Sequence, residues 1–173
     1  VSTAPISLPI RAAQVWGLMG VIVLLLDAIV RLAPIAYTEL SGGLTLEQLV
    51  VLVGVVSFFA VVEGYKGFQL SFAPRLAARL HVMQDDPTPV RLVLAPLFLM
   101  ALVDATKKRL LVNWMLIIGI VGCILGVRML PAPYRGIVDA GVVVGLTWGA
   151  VSVVVCCWHM RQHGTDVDAE LGG

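Results

Sequence analysis

The chain of 173 residues is 59% hydrophobic and 13% charged, against roughly 45–50% and about 25% in soluble domains. A water-soluble fold of this size has no interior large enough to hide that much apolar surface, and no separate soluble catalytic domain fits beside it. Twelve Lys and Arg against eleven Asp and Glu leave a formal net charge of +1, which excludes an overall field that would draw nucleic acid or an acidic partner.

Val1 to Ile10 carries no basic run, and the apolar stretch behind it is too long and interrupted for a cleaved signal peptide, so a retained signal anchor is expected. The first span is expected at about 12–36, opening VWGLMGVIVLLL, with Asp27 and Arg31 in its second half and Pro34 marking its far end. A second span at about 46–66 has its apolar heart at Leu49 to Val62 and Glu63 and Lys66 at its end. EGYKGFQLSFAPRLAARLH follows, and DDPTP ends any continuing helix near Asp85. Leu92 to Val103 is apolar but only about 18 Å long as a helix, short of the ~30 Å hydrocarbon core. The stretch 67–109 is therefore expected to hold an interfacial or re-entrant helical segment. A third span at about 110–130 turns through PAPYRG into a fourth at about 136–158, and the polar tail 159–173 is expected to be disordered. The fold class is all-α: one membrane domain, a transmembrane four-helix bundle with a cytoplasmic segment between spans two and three.

Basic residues set the orientation. Lys66, Arg75, Arg79, Arg91, Lys107, Lys108 and Arg109 lie between spans two and three, whereas the loop between spans one and two offers Glu39 and Glu47 but no Lys or Arg. With Arg11 and Arg161 on the same side, only Arg31, Arg128 and Arg135 lie toward the other. The positive-inside rule then places both termini in the cytoplasm.

Gly141, Gly145 and Gly149 recur every four residues in span four, a face that lets another backbone approach closely. Gly119, Gly122 and Gly126 do so less regularly in span three. The expected use is packing of span three on span four, with docking of another subunit as the alternative.

Intramembrane charges are the first place to look for function, because each must be compensated. Asp27 and Arg31, four apart, share a helix face in the favoured acid-first order. Arg128, Arg135 and Asp139 fall near the same outer level, so the group reads either as a polar vestibule or as an ion-pair cluster that fixes helix register. Glu63 and Lys66 read as a helix-end ion pair or a coupling site. Arg75, Arg79 and Lys107 to Arg109 set topology and could attract anionic lipid.

Haem would need His within the spans, whereas His81, His159 and His163 fall outside them in this parse. Cys123, Cys156 and Cys157 form no CxxC pattern, and His159 with His163 lacks a supporting ligand set. No GxSxG, HExxH or phosphate-binding glycine loop is present. No metal or other cofactor is expected.

EGYKGFQ, SFAPR, DATKKR and YRGIVDAGVVVGLTWG, between about Glu63 and Gly149, resemble a family of small multi-pass bacterial inner-membrane proteins. The resemblance implies a membrane location and marks Glu63, Gly64, Tyr65, Lys66, Gly67, Phe68, Pro74, Arg75 and Asp139 as motif residues; it implies no substrate or cofactor. The function expected is a non-enzymatic structural or accessory subunit of a membrane complex or homo-oligomer. The alternatives are a small-solute or ion transporter using the charges around Asp27 and Arg31, and an interfacial lipid enzyme using Glu63 and Asp104.

Overall fold

A computed structural model describes residues 7–163 and Ala169. Six helices and no strand are found among them: α1 (Leu8–Leu40), α2 (Leu46–Asp85), α3 (Pro89–Val93), α4 (Ala95–Leu99), α5 (Lys107–Val127) and α6 (Tyr134–His163). Four of them, α1, α2, α5 and α6, are long and apolar enough to cross a membrane. The chain is a multi-pass, all-α membrane protein.

Helix α1 does not stop at Pro34 but runs through it to Leu40. Proline is tolerated inside membrane helices when neighbours hold the backbone, and here they do. Beyond Pro34, Ala36 is buried, and the Glu39 carboxylate accepts the Gly136 backbone N–H at 2.7 Å, one of the orphan donors of the first turn of α6. SGG then ends the helix, with Gly43 at φ 88°, and Thr45 opens α2 with a capping box. Its hydroxyl accepts the Gln48 N–H, and the Gln48 side chain accepts the Thr45 N–H.

Helix α2 is continuous over 40 residues but changes its winding. From Ala60 to Phe72 it is a π-helix, flanked by α-helical Leu46–Phe59 and Ala73–Asp85. Most π-helical turns are single-turn bulges, so a stretch of 13 residues is unusual. Its last bond runs from Ala73 N–H to Phe68 O, and Pro74 follows, which has no N–H to carry an α ladder back to Leu70.

Helix α6 is the central element. α1 packs antiparallel along it, from the Glu39–Gly136 contact at one end to Gln14, Trp158 and Met160 around a shared cleft at the other. α2 packs parallel to it on another side: a Cβ added to Gly141 would lie 2.7 Å from Phe59, and one on Gly149 2.5 Å from Phe68. The glycine face of span four therefore seats span two. Gly119, Gly122 and Gly126 of α5 meet nothing within 4 Å, so this glycine face does not carry the expected packing of span three on span four. α5 buries only Asn113 among its side chains.

The buried core lies toward the end of the bundle that carries Arg75, Arg79 and Arg91, where Leu76 and Met83 of α2, Phe98 and Leu99 of α4, Val21 of α1 and Val153 of α6 meet. The stretch Pro89 to Asp104 does not cross the bundle. It folds back as α3 and α4 and seats Ala95, Pro96 and Leu99 in a notch of α1 floored by Gly17 and Gly20. Backbone that turns back at this depth must satisfy its carbonyls internally. Arg79, 1% exposed, donates to Phe98 O at 2.9 Å, Asp104 O at 3.3 Å and Val103 O at 3.4 Å, while Asn113 donates to Met100 O and Ala101 O at 3.0 and 2.9 Å. Ala101 and Asp104, at φ 55° and 51°, make the turns.

Helix α6 continues through His159 to His163, so the first residues of the expected tail are helical. From residue 164 onward that expectation lies outside the described residues, Ala169 excepted, as does the start of the amino-terminal anchor.

Arg79→Ala leaves three carbonyls without their charged donor and should cost about 2–3 kcal/mol of stability. Arg79→Lys should recover only part of it, because an ammonium cannot reproduce the planar fork. Thermal unfolding in detergent micelles measures both.

Candidate functional site

Four polar groupings are held by the helices, and they do not merge. The first is the seam of α2 and α6. Gly64 is buried against Trp148, whose indole would lie 2.9 Å from an added Cβ, and the Trp148 Nε1 donates to Gln69 Oε1 at 2.8 Å. One turn away Glu63 lies against Gly145, where an added Cβ would sit 2.8 Å from Oε2 and 3.3 Å from the Glu63 Cβ. Oε2 of Glu63 is buried and has no hydrogen-bond partner. Gly145 is close to the midpoint of the apolar helix Tyr134–Met160, so Glu63 sits midway along α6 rather than at a helix end.

The expected Glu63–Lys66 ion pair is not formed. Residues three apart share a face at 3.6 residues per turn, and the wider winding of the π stretch separates them: Lys66 is exposed while Glu63 faces α6. Beside this seam runs a groove of about 750 Å³ lined by Gln69, Thr147, Trp148, Ser152, Cys156 and His159, among others.

The second grouping stands where α1 ends and α6 begins. Arg135 Nε lies 3.9 Å from Glu39 Oε1 and 3.8 Å from Asp139 Oδ2, so one guanidinium serves two carboxylates. Asp139 is 5% exposed and its Oδ2 accepts no hydrogen bond. Asp27 and Arg31 form the third, a separate pair at 2.9 Å on the outward face of α1, and Arg128 is exposed at the end of α5. The expected outer cluster is thus divided into three places.

The fourth grouping binds the returning segment. Arg91 donates from Nε to Asp104 Oδ2 at 2.5 Å and from Nη1 to Asp86 Oδ2 at 2.6 Å, and it shares the Phe98 ring with Arg79, their guanidinium carbons 5.5 and 4.8 Å from its centroid. Burial pulls the Arg91 pKa down, but the hydrogen bonds and charges of Asp104 and Asp86 outweigh it and hold the pKa above the ordinary Arg value. Arg91 therefore stays charged throughout the working range. Arg75 donates to Ser71 Oγ. Lys107, Lys108 and Arg109 open α5 behind the Thr106 cap, whose hydroxyl accepts the Arg109 N–H.

Sequence reasoning did not single out Asn113, Trp148 or Gln69, and took Glu39 only as a loop charge. Asn113 carried a usable signal, being the one polar side chain in the first two turns of span three that is not basic. The partnership of Gln69 with Trp148 joins residues 79 apart and had none.

Among the described residues no group of three or more His, Cys, Asp and Glu is placed to hold a metal. No family model, curated protein or solved structure matches the chain. The likeness in EGYKGFQ and its companion motifs therefore identifies no family, and membership of the multi-pass membrane class rests on the four spans.

Gly149→Ala forces a methyl into the Phe68 ring and should cost about 1–3 kcal/mol. Gly122→Ala, which meets open space, should be neutral or slightly stabilising through helix propensity. Paired thermal melts in the same detergent compare them.

Proposed function

We propose that the chain is a non-enzymatic structural or accessory subunit of a bacterial inner-membrane assembly, with both termini cytoplasmic, and that it associates with a second copy of itself. The concentration of Lys and Arg from Lys66, in the second half of α2, to Arg109, in the first turn of α5, against none between α1 and α2, supports the orientation.

The observation that carries the reading is the Asp27–Arg31 pair. Its side chains are 52% and 75% exposed on the outward face of α1, surrounded by exposed Val23, Leu24 and Val30. Asp27 lies about 18 Å along α1 from the Glu39 contact with α6, which is mid-bilayer depth. An ion pair left facing hydrocarbon there is costly, and a covering chain that brings polar groups to the same depth removes the cost. A second copy inserted in the same orientation does so by necessity, since its own pair lies at the same level and Arg31 of each copy can reach Asp27 of the other. α5 supports the reading too, as an apolar helix with an open glycine face and few neighbours in its own chain.

The enzyme reading has weaker support. Glu63 faces α6 and Asp104 is engaged by Arg91, so neither acid named for interfacial chemistry is presented to a headgroup.

Native mass spectrometry from lipid nanodiscs tests the assembly. The wild type should give an oligomer, and the double variant Asp27→Leu with Arg31→Leu should shift to monomer without losing helix content. A wild type that is monomeric with nothing bound contradicts the reading.

A further inference from the structure

We infer that Glu63 is an intramembrane proton-binding site, built between the π-helical stretch of α2 and the glycine face of α6. The carboxyl lies flat against the α6 backbone at Gly145, where there is no side chain to push it aside, and its Oε2 is buried without a hydrogen-bond donor. Among the described residues, α6 is the element from outside α2 that packs closely on this part of it. Between Asp139 and Cys156 α6 has no titratable residue, and between Arg135 and His159 it has no cation. On α2 itself Tyr65 and Lys66 are exposed, and Arg75 is bonded to Ser71. Among the described residues no charge is bonded to Glu63 that could neutralise it.

An ionised carboxylate with one oxygen buried and unbonded midway along a membrane helix, and no counter-charge on it among the described residues, is costly, and the compensation open to it is a bound proton. A metal cation fits poorly, since hard cations gather several oxygen ligands and among the described residues no group of three or more His, Cys, Asp and Glu includes Glu63. The groove beside the seam brings polar residues near it without being lined by Glu63 itself: they run from His159 through Ser152 to Thr147 and Trp148, and Trp148 packs on Gly64, the residue next to Glu63. The π winding is what turns Glu63 onto α6 while leaving Lys66 outside, so the proton site and the unusual stretch of helix are one feature.

Infrared spectroscopy of the protein in lipid nanodiscs, wild type against Glu63→Gln, decides it. At about pH 7 the wild type should show a protonated-carboxyl C=O band that is missing from Glu63→Gln and that disappears from the wild type by about pH 10. Glu63→Gln copies the neutral form and should keep the fold, with a melting temperature that changes less than the wild type's over the same pH interval. Mass mapping after dicyclohexylcarbodiimide gives a second readout: the carboxyl proton moves to a carbodiimide nitrogen, the carboxylate oxygen bonds the central carbon, and the adduct should appear on Glu63 at neutral pH and fall at least about tenfold by about pH 10. Identical infrared spectra for the two proteins, with no part of the protonated-carboxyl band lost in Glu63→Gln, overturn the proposal.

Discussion

The close approach of α2 to α6 is the contact on which the rest of the molecule depends. Three glycines at four-residue spacing remove the side chains from one face of α6, and Phe59, Glu63 and Phe68 of α2 fill the space. Between membrane helices there is no hydrophobic drive comparable with that in water, so packing of this kind carries the association. The spacing of those three side chains on α2 is four and then five residues, against a regular four on α6. A π-helical stretch accommodates that extra residue while keeping both side chains on the seam. Winding and glycine face are two sides of one fit.

From that seam the remaining arrangement follows. α6 has its other side free for α1, which is tied to it at the first turn through Glu39. The last part of α2 is thereby brought beside the opposite end of α1, and the two enclose the space into which α4 folds. Arg79 and Asn113, from two different spans, satisfy the carbonyls of that returning chain, so a non-helical stretch is tolerated where lipid would not tolerate it. Arg79 and Arg91 are therefore framework residues as much as topology signals, each bonded to fixed partners and stacked on Phe98.

Much of this was legible in the sequence, for reasons that can be stated. Four long apolar runs report spans because hydrocarbon thickness sets their length, and Leu92 to Val103 was too short to be a fifth. The glycine repeat in α6 reported close packing because only a missing side chain permits it. What the repeat could not report was the partner. Adjacency in the chain favoured span three, whereas Phe59 and Phe68, spaced for a π stretch and not for an α-helix, select span two. Helical periodicity also placed Glu63 beside Lys66 and Asp27 among the outer charges. Both expectations assumed uniform winding and a compact cluster of charge, and the structure has neither. The continuation of α1 past Pro34 likewise depends on Glu39 bonding a residue 97 positions away, which no local pattern contains.

Disulfide trapping across the seam tests its existence most directly. With Cys123, Cys156 and Cys157 replaced by Ser, Glu63→Cys and Gly145→Cys place two Cβ atoms about as close as the 3.3 Å between the Glu63 Cβ and an added Cβ on Gly145, near the spacing a disulfide requires. The account expects rapid intramolecular cross-linking on mild oxidation in membranes, read by electrophoretic mobility, and none for Gly122→Cys with Gly145→Cys. Cross-linking of the second pair and not the first would contradict it.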